Sequence, residues 1–126
     1  MALENAGRDI IAQMLMGEAV NAFDAAHAYI GVGDSTDGFD AVDTDLQAAV
    51  NKLRKGMEAT YPIRTVNALA FRSLFATGDA NWAWQEWAVF NAGASGTMLN
   101  RKVESLGTKT SAQSWQMTVT LTVTAA

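Results

Sequence analysis

The chain has 126 residues, close to half of them apolar and 17% charged, with a net charge of −4. That length suits one domain with a real core, and that composition argues against disorder. The acidic balance gives no electrostatic case for nucleic acid, and the lack of cysteine excludes a disulfide framework, thiol catalysis and a cysteine-based metal site. No apolar run approaches the roughly 20 residues of a membrane span. The start MALENAGRD carries acidic residues before its apolar stretch, unlike a secretory signal. A chain made and kept in the cytoplasm is therefore expected, unless it is built into something larger.

The first element predicted is a helix. Ile10, Ile11, Met14 and Leu15 recur at helical spacing, Asn5 is placed to cap it and Gly17 to end it. Asn21 to Asp24 reads as loop, and Ala28 to Val32 as a short strand closed by Gly33-Asp34. Asp34 to Asp45 is the most acidic stretch of the chain. Closely spaced carboxylates suit calcium, but this spacing matches no EF-hand loop and lacks its bidentate glutamate, so a solvated loop leading into a helix is the expectation. Thr44 with Gln47 forms a capping-box pattern. Leu46, Ala49, Val50, Leu53 and Met57 then make the apolar stripe of a second helix, which Pro62 stops by Tyr61. Lys52, Arg54 and Lys55 fall towards its C-terminal end, where the helix dipole favours positive charge.

From Asn67 the pattern turns to β. Asn67 to Ala76 alternates, with Leu69, Phe71, Ser73 and Phe75 on one face and Arg72 on the other. Thr77 to Ala80 is a turn into Asn81 to Val103, which holds three of the four tryptophans. Strict alternation there puts Trp82, Trp84, Glu86, Ala88 and Phe90 on one face, and Trp87 with Val89 on the other. Asn91 to Gly96 is the turn of a hairpin whose return strand is Thr97 to Val103. Glu104 to Gln113 reads as an exposed loop. The final strand is the cleanest: Trp115, Met117, Val119, Leu121 and Val123 on one face, Gln116 and four threonines on the other.

Candidate chemistry is sparse. His27 is the one histidine, and a lone histidine at a strand start is surface or hydrogen-bonded far more often than catalytic. Nucleophile-elbow, zinc-protease, Walker and dinucleotide motifs are missing from the sequence. No catalytic residue, metal ligand or cofactor is expected, and the chain is not expected to be an enzyme. Glu86, a charge in an apolar strand, is expected to pair with Arg72 or Arg101, because a buried charge needs a partner. A glycosidase would need a second carboxylate, and Glu104 is the only candidate in the same hairpin. The tryptophans (Trp82, Trp84, Trp87 and Trp115) read as core for at least two of them and as interface for others. Stacking on sugars is a third use for exposed ones.

Taken together, AYIGVGDS ending a strand, DTDLQAA opening NKLRKGMEATYP, NALAFRSLFATGDAN leading to WAWQEWAVFNA, and MLNRKV after a glycine turn resemble a family of small tailed-bacteriophage virion proteins. The looser resemblance is to tail-collar fibre proteins, through a glutamate-to-phenylalanine strand, here Glu86 to Phe90, then a turn and return. The resemblance runs from Leu3 to Thr124 and implies virion membership. With no shaft or receptor-binding tip after Ala126, it implies a capsid decoration protein before a tail, baseplate or fibre-adaptor component. A carbohydrate-binding module stands third. The implied partners are copies of itself, as a trimer or ring, and capsid or tail proteins, with no membrane. The expected fold is α+β: an antiparallel β-sandwich or sheet with two helices packed on it, and Trp82, Trp84, Glu86, Trp87, Phe90, Arg72, Arg101 and Trp115 as its structural or interface residues.

Overall fold

The computed structural model describes residues 2–125. It contains one helix, α1 (Asn5–Leu15), and seven strands: β1 (Tyr29–Gly33), β2 (Lys52–Gly56), β3 (Ile63–Thr65), β4 (Ala68–Phe75), β5 (Ala83–Phe90), β6 (Lys102–Thr108) and β7 (Trp115–Thr122). The strands form two sheets, ordered β2-β1-β5-β6 and β3-β4-β7, with every pairing antiparallel. The fold is thus β-sandwich-like with a single helix, where the sequence predicts two. No helix among the described residues is long and apolar enough to cross a membrane.

The missing second helix is replaced by loop and strand. Leu46 is buried with Ala88, Phe90 and Met98, and Gln47 and Ala48 turn their backbone N–H groups to the Glu86 carboxylate. Lys52–Gly56 pairs along the whole of β1. Helical periodicity in Leu46 to Met57 is real, but it is local. A glutamate 39 residues away in sequence and an open strand edge compete for the same backbone groups and win. The capping-box reading of Thr44 and Gln47 fails with it, since the Gln47 side chain donates to the Asp45 carbonyl instead. In α1 the N-cap is Glu4, and Asn5 is the first helical residue. Gly17 takes the left-handed conformation (φ 72°) just beyond the helix, where glycine carries no steric penalty.

β5 departs from strict alternation. Its pairing with β6 shifts register between Trp84 and Glu86. Trp84 stands opposite Gly107 and Glu86 opposite Val103, so two steps along β5 span four along β6, and strict alternation breaks at this irregularity. Trp84 thereby joins Trp87 and Val89 in the core between the sheets, with Ile30, Val32, Phe71, Phe75 and Val119. Glu86, Ala88 and Phe90 stay on the outer face. The expected grouping of Trp84 with Glu86 and Phe90 is therefore corrected. Inside, the Trp84 ring meets Phe75 and Trp115 edge-on, with centroids 4.8 and 5.0 Å away. Trp84 and Phe75, both fully buried, each stabilise the fold by about 1.5–3 kcal/mol, and the half-buried Trp115 by less.

β6 also runs further than predicted, so Glu104 lies in a strand and not in a loop. Gly107 permits this, adopting φ 103° within the strand opposite Trp84. The short β3 was hidden in the sequence among exposed residues. α1 packs on the backbone at Leu99 so closely that any side chain at Gly7 would collide with the Leu99 carbonyl.

Candidate functional site

Two regions concentrate the polar chemistry, and they lie on opposite faces of the four-stranded sheet. On the outer face, Glu86 and Arg101 are both fully buried and their side chains meet at 2.8 Å. Glu86 Oε1 also accepts the Gln47 N–H at 2.8 Å, and Oε2 the Ala48 N–H at 2.9 Å. Arg101 donates onward to the carbonyls of Asp37 and Gly38, at 2.9 and 3.2 Å, and lies 3.7 Å from the Asp43 carboxylate. The pair therefore straps the 34–51 loop across the sheet. Gly33 leaves the space for it, because a Cβ there would run into the Glu86 carboxylate. Arg54 adds a second tie: its guanidinium stacks 3.5 Å from the Phe90 ring centre and donates to the Ala92 and Ser95 carbonyls.

Of the two partners predicted for Glu86, Arg101 is the one present. Arg72 pairs instead with Glu58 at 3.0 Å and stacks over Tyr61. Each Glu86 oxygen is held by fixed N–H donors, from Gln47 and Arg101 on one and Ala48 on the other. His27 is hydrogen-bonded to Asp24 at 2.7 Å on the surface, and that bond holds the Asp24 carboxyl below its usual range.

The acidic loop divides its carboxylates among separate partners. Asp34 accepts from Asn51, and Asp45 takes Lys52 and Arg54 at 3.0 and 3.2 Å. Burial alone would raise the Asp45 carboxyl, but its bonds from Lys52, the Leu46 N–H and Arg54 outweigh burial and lower it. Among the described residues, no three His, Cys, Asp or Glu side chains converge as a metal ion would require.

Glu4 and Lys109 were invisible as special positions in the sequence. Glu4 is fully buried at the N-cap of α1, and neither carboxyl oxygen has a hydrogen-bond partner. Burial pushes its carboxyl up to about 7; Asp43 and Asp40 add to the rise and Arg101 opposes it. Lys109 is buried too, and its ammonium donates to the Ala76 carbonyl at 2.7 Å and to Asn81 at 2.8 Å. No local pattern announces either one, since charged residues beside a helix start or in a polar turn ordinarily face water.

The second region lies at the opposite side, where the sandwich is open. One sheet has four strands and the other three. β7 covers β5, as the Trp84–Trp115 contact shows, and nothing among the described strands covers β6. A groove of about 640 Å³ results, lined by Trp87, Lys102, Glu104, Leu106, Trp115 and Met117 among others. Lys102, Glu104 and Leu106 alternate along β6 and so share the face turned towards it. Glu104 accepts the Trp87 indole N–H at 2.9 Å and lies 3.4 Å from Lys102, which leaves the charges of the groove paired.

Against known proteins, the chain matches no family model and no curated relative. The site must be read from its own geometry.

Trp84 and Trp87 are core, Trp82 and Trp115 are half-buried, and Phe90 is fully buried on the outer face under Arg54. The structure thus divides the predicted residues. Glu86, Arg101 and Phe90 hold the strapped loop, Trp84, Trp87 and Trp115 form the groove side, and Arg72 belongs to neither. The groove was missed because the return strand was ended at Val103 and Glu104 to Gln113 read as an exposed loop. The alternation of Lys102, Glu104 and Leu106 was the signal that could have carried that strand on past Val103.

Proposed function

We propose that the chain is a structural component of a tailed-bacteriophage particle, first of all a capsid decoration protein that binds the outer capsid surface. It acts by binding, to copies of itself and to the particle, and performs no catalysis. The observation that carries binding to the particle is the open side of the sandwich. β7 presents eight regular, uncharged strand residues at a sheet edge, beside an aromatic groove. Bare edges of that kind invite pairing, and proteins ordinarily blunt them. The likeness to small virion proteins from Leu3 to Thr124 supplies the setting, with the virion as the place of action. A tail, baseplate or fibre-adaptor position is the alternative within the same reading.

The test is co-sedimentation of the purified chain with undecorated capsids and, separately, with tails. Saturable binding to capsids is expected. Binding to tails alone selects the alternative, and binding to neither overturns the proposal. The groove favours one further reading, carbohydrate binding, because Trp115 is half-exposed within it. Saturable quenching of tryptophan fluorescence by oligosaccharides, without particle binding, would select it.

A further inference from the structure

We infer that the space beside β7 receives a single extended strand from another polypeptide, which completes the three-stranded sheet over β6. The inference rests on the assembly reading for the identity of the partner, and on the fold for the contact itself.

The edges of the two sheets are not alike. β2 carries Lys52, Arg54 and Lys55, and lysines on an edge discourage pairing. β3 has only three residues. β6 carries Lys102, a glycine at φ 103° and a register shift against its neighbour. β7 has none of these devices. It pairs with β4 over eight consecutive positions without a shift, and between Trp115 and Thr122 it holds no charge, proline or glycine. Its other side presents a row of unpaired backbone N–H and C=O groups.

The sheets also differ in width by one strand. A strand added to β7 would lie above β6, with alternate side chains entering the groove between Trp87, Leu106 and Met117. Lys102 and Glu104 already neutralise each other there, so the entering side chains should be uncharged and largely apolar. Those facing outward should resemble Thr118 and Thr120, which are exposed on the outer face of β7. The occupant is therefore an uncharged segment of alternating apolar and polar residues, about as long as β7.

A second folded copy does not fit this description. Antiparallel pairing of β7 with β7 of another copy about a twofold axis would leave both four-stranded sheets on one side. β6 of each copy would then fall where β5 of the other lies. The incoming strand must arrive without a second layer beneath it, as an arm or tail of a partner does.

The experiment uses a synthetic peptide of the Trp115–Thr122 sequence with a lysine added at each end, titrated into the full chain. Amide hydrogen exchange and backbone chemical shifts are followed. Saturable binding is expected, with new protection in β7 and shifts confined to β6, β7 and the groove. A scrambled peptide without alternation should bind at least tenfold more weakly. Thr118→Lys with Thr120→Lys, both outward-facing, should weaken binding by a similar factor while the circular dichroism spectrum stays that of the parent. If that variant does not fold, Leu106→Arg, exposed at the groove, serves instead. Equal binding of the two peptides, shifts elsewhere, or no binding at millimolar peptide would overturn the inference. So would self-association of the chain through β7 in the absence of peptide. Capsid binding without peptide binding removes this inference and leaves the assembly reading standing; peptide binding without particle binding does the reverse.

Discussion

Glu4 gives the sharpest test of the energetics. Its carboxyl is fully buried, has no hydrogen-bond partner, and titrates at about 7 where 4.5 is ordinary. That rise corresponds to about 3 kcal/mol between the two protonation states, an upper bound because a carboxylate at a helix N-terminus recovers part of it. The folded value lies above the unfolded one, so the protonated form favours folding. Its contribution is complete below pH 4.5 and is lost as pH rises through about 7. Glu4→Gln mimics the protonated acid and cannot ionise. The variant should match the parent near pH 4.5 and exceed it at pH 8 by up to about 3 kcal/mol, roughly 10 °C in melting temperature for a chain of this size. Thermal melts of both proteins across that pH range check this. Parallel profiles, or a variant that melts lower at pH 8, would refute the reasoning.

Glu86→Gln removes the buried counter-charge of Arg101 and leaves it only the more distant Asp43, and should cost about 3–5 kcal/mol in urea unfolding; an unchanged midpoint would show that the pair does not strap the loop. Gly33→Ala drives a methyl group into the same carboxylate, so the 34–51 loop should loosen and become the first site of limited proteolysis. Asp45→Asn should destabilise the chain at pH 7, and its difference from the parent in urea unfolding should narrow as pH falls below 3.8. A lowered carboxyl contributes stability above its unfolded value and loses it as pH falls through the folded one. Millimolar calcium should leave the melting temperature unchanged; a rise that Asp37→Asn with Asp40→Asn abolishes would show an ion site in the loop.

The sequence by itself determined the elements whose signal is local. The alternation of Trp115 to Val123 has no helical counterpart, and β7 forms there, although Val123 falls beyond the strand and is exposed. The stripe at Ile10 to Leu15 became α1, and a charge among apolar neighbours marked Glu86 as needing a partner. The tertiary structure alone decided whatever depends on residues far apart in the chain. Leu46 to Met57 reads as a helix until β1 offers its edge and Glu86 claims the N–H groups of Gln47 and Ala48. The period of β5 could be counted, but the bulge that turns Trp84 inward is set by its register with β6. Which arginine meets Glu86 depends on where the hairpin returns. The open groove belongs to no segment at all: it exists because one sheet is a strand wider than the other. Side-chain spacing carries periodicity, whereas pairing, register and sheet width arise from long-range contacts that compete for the same backbone groups.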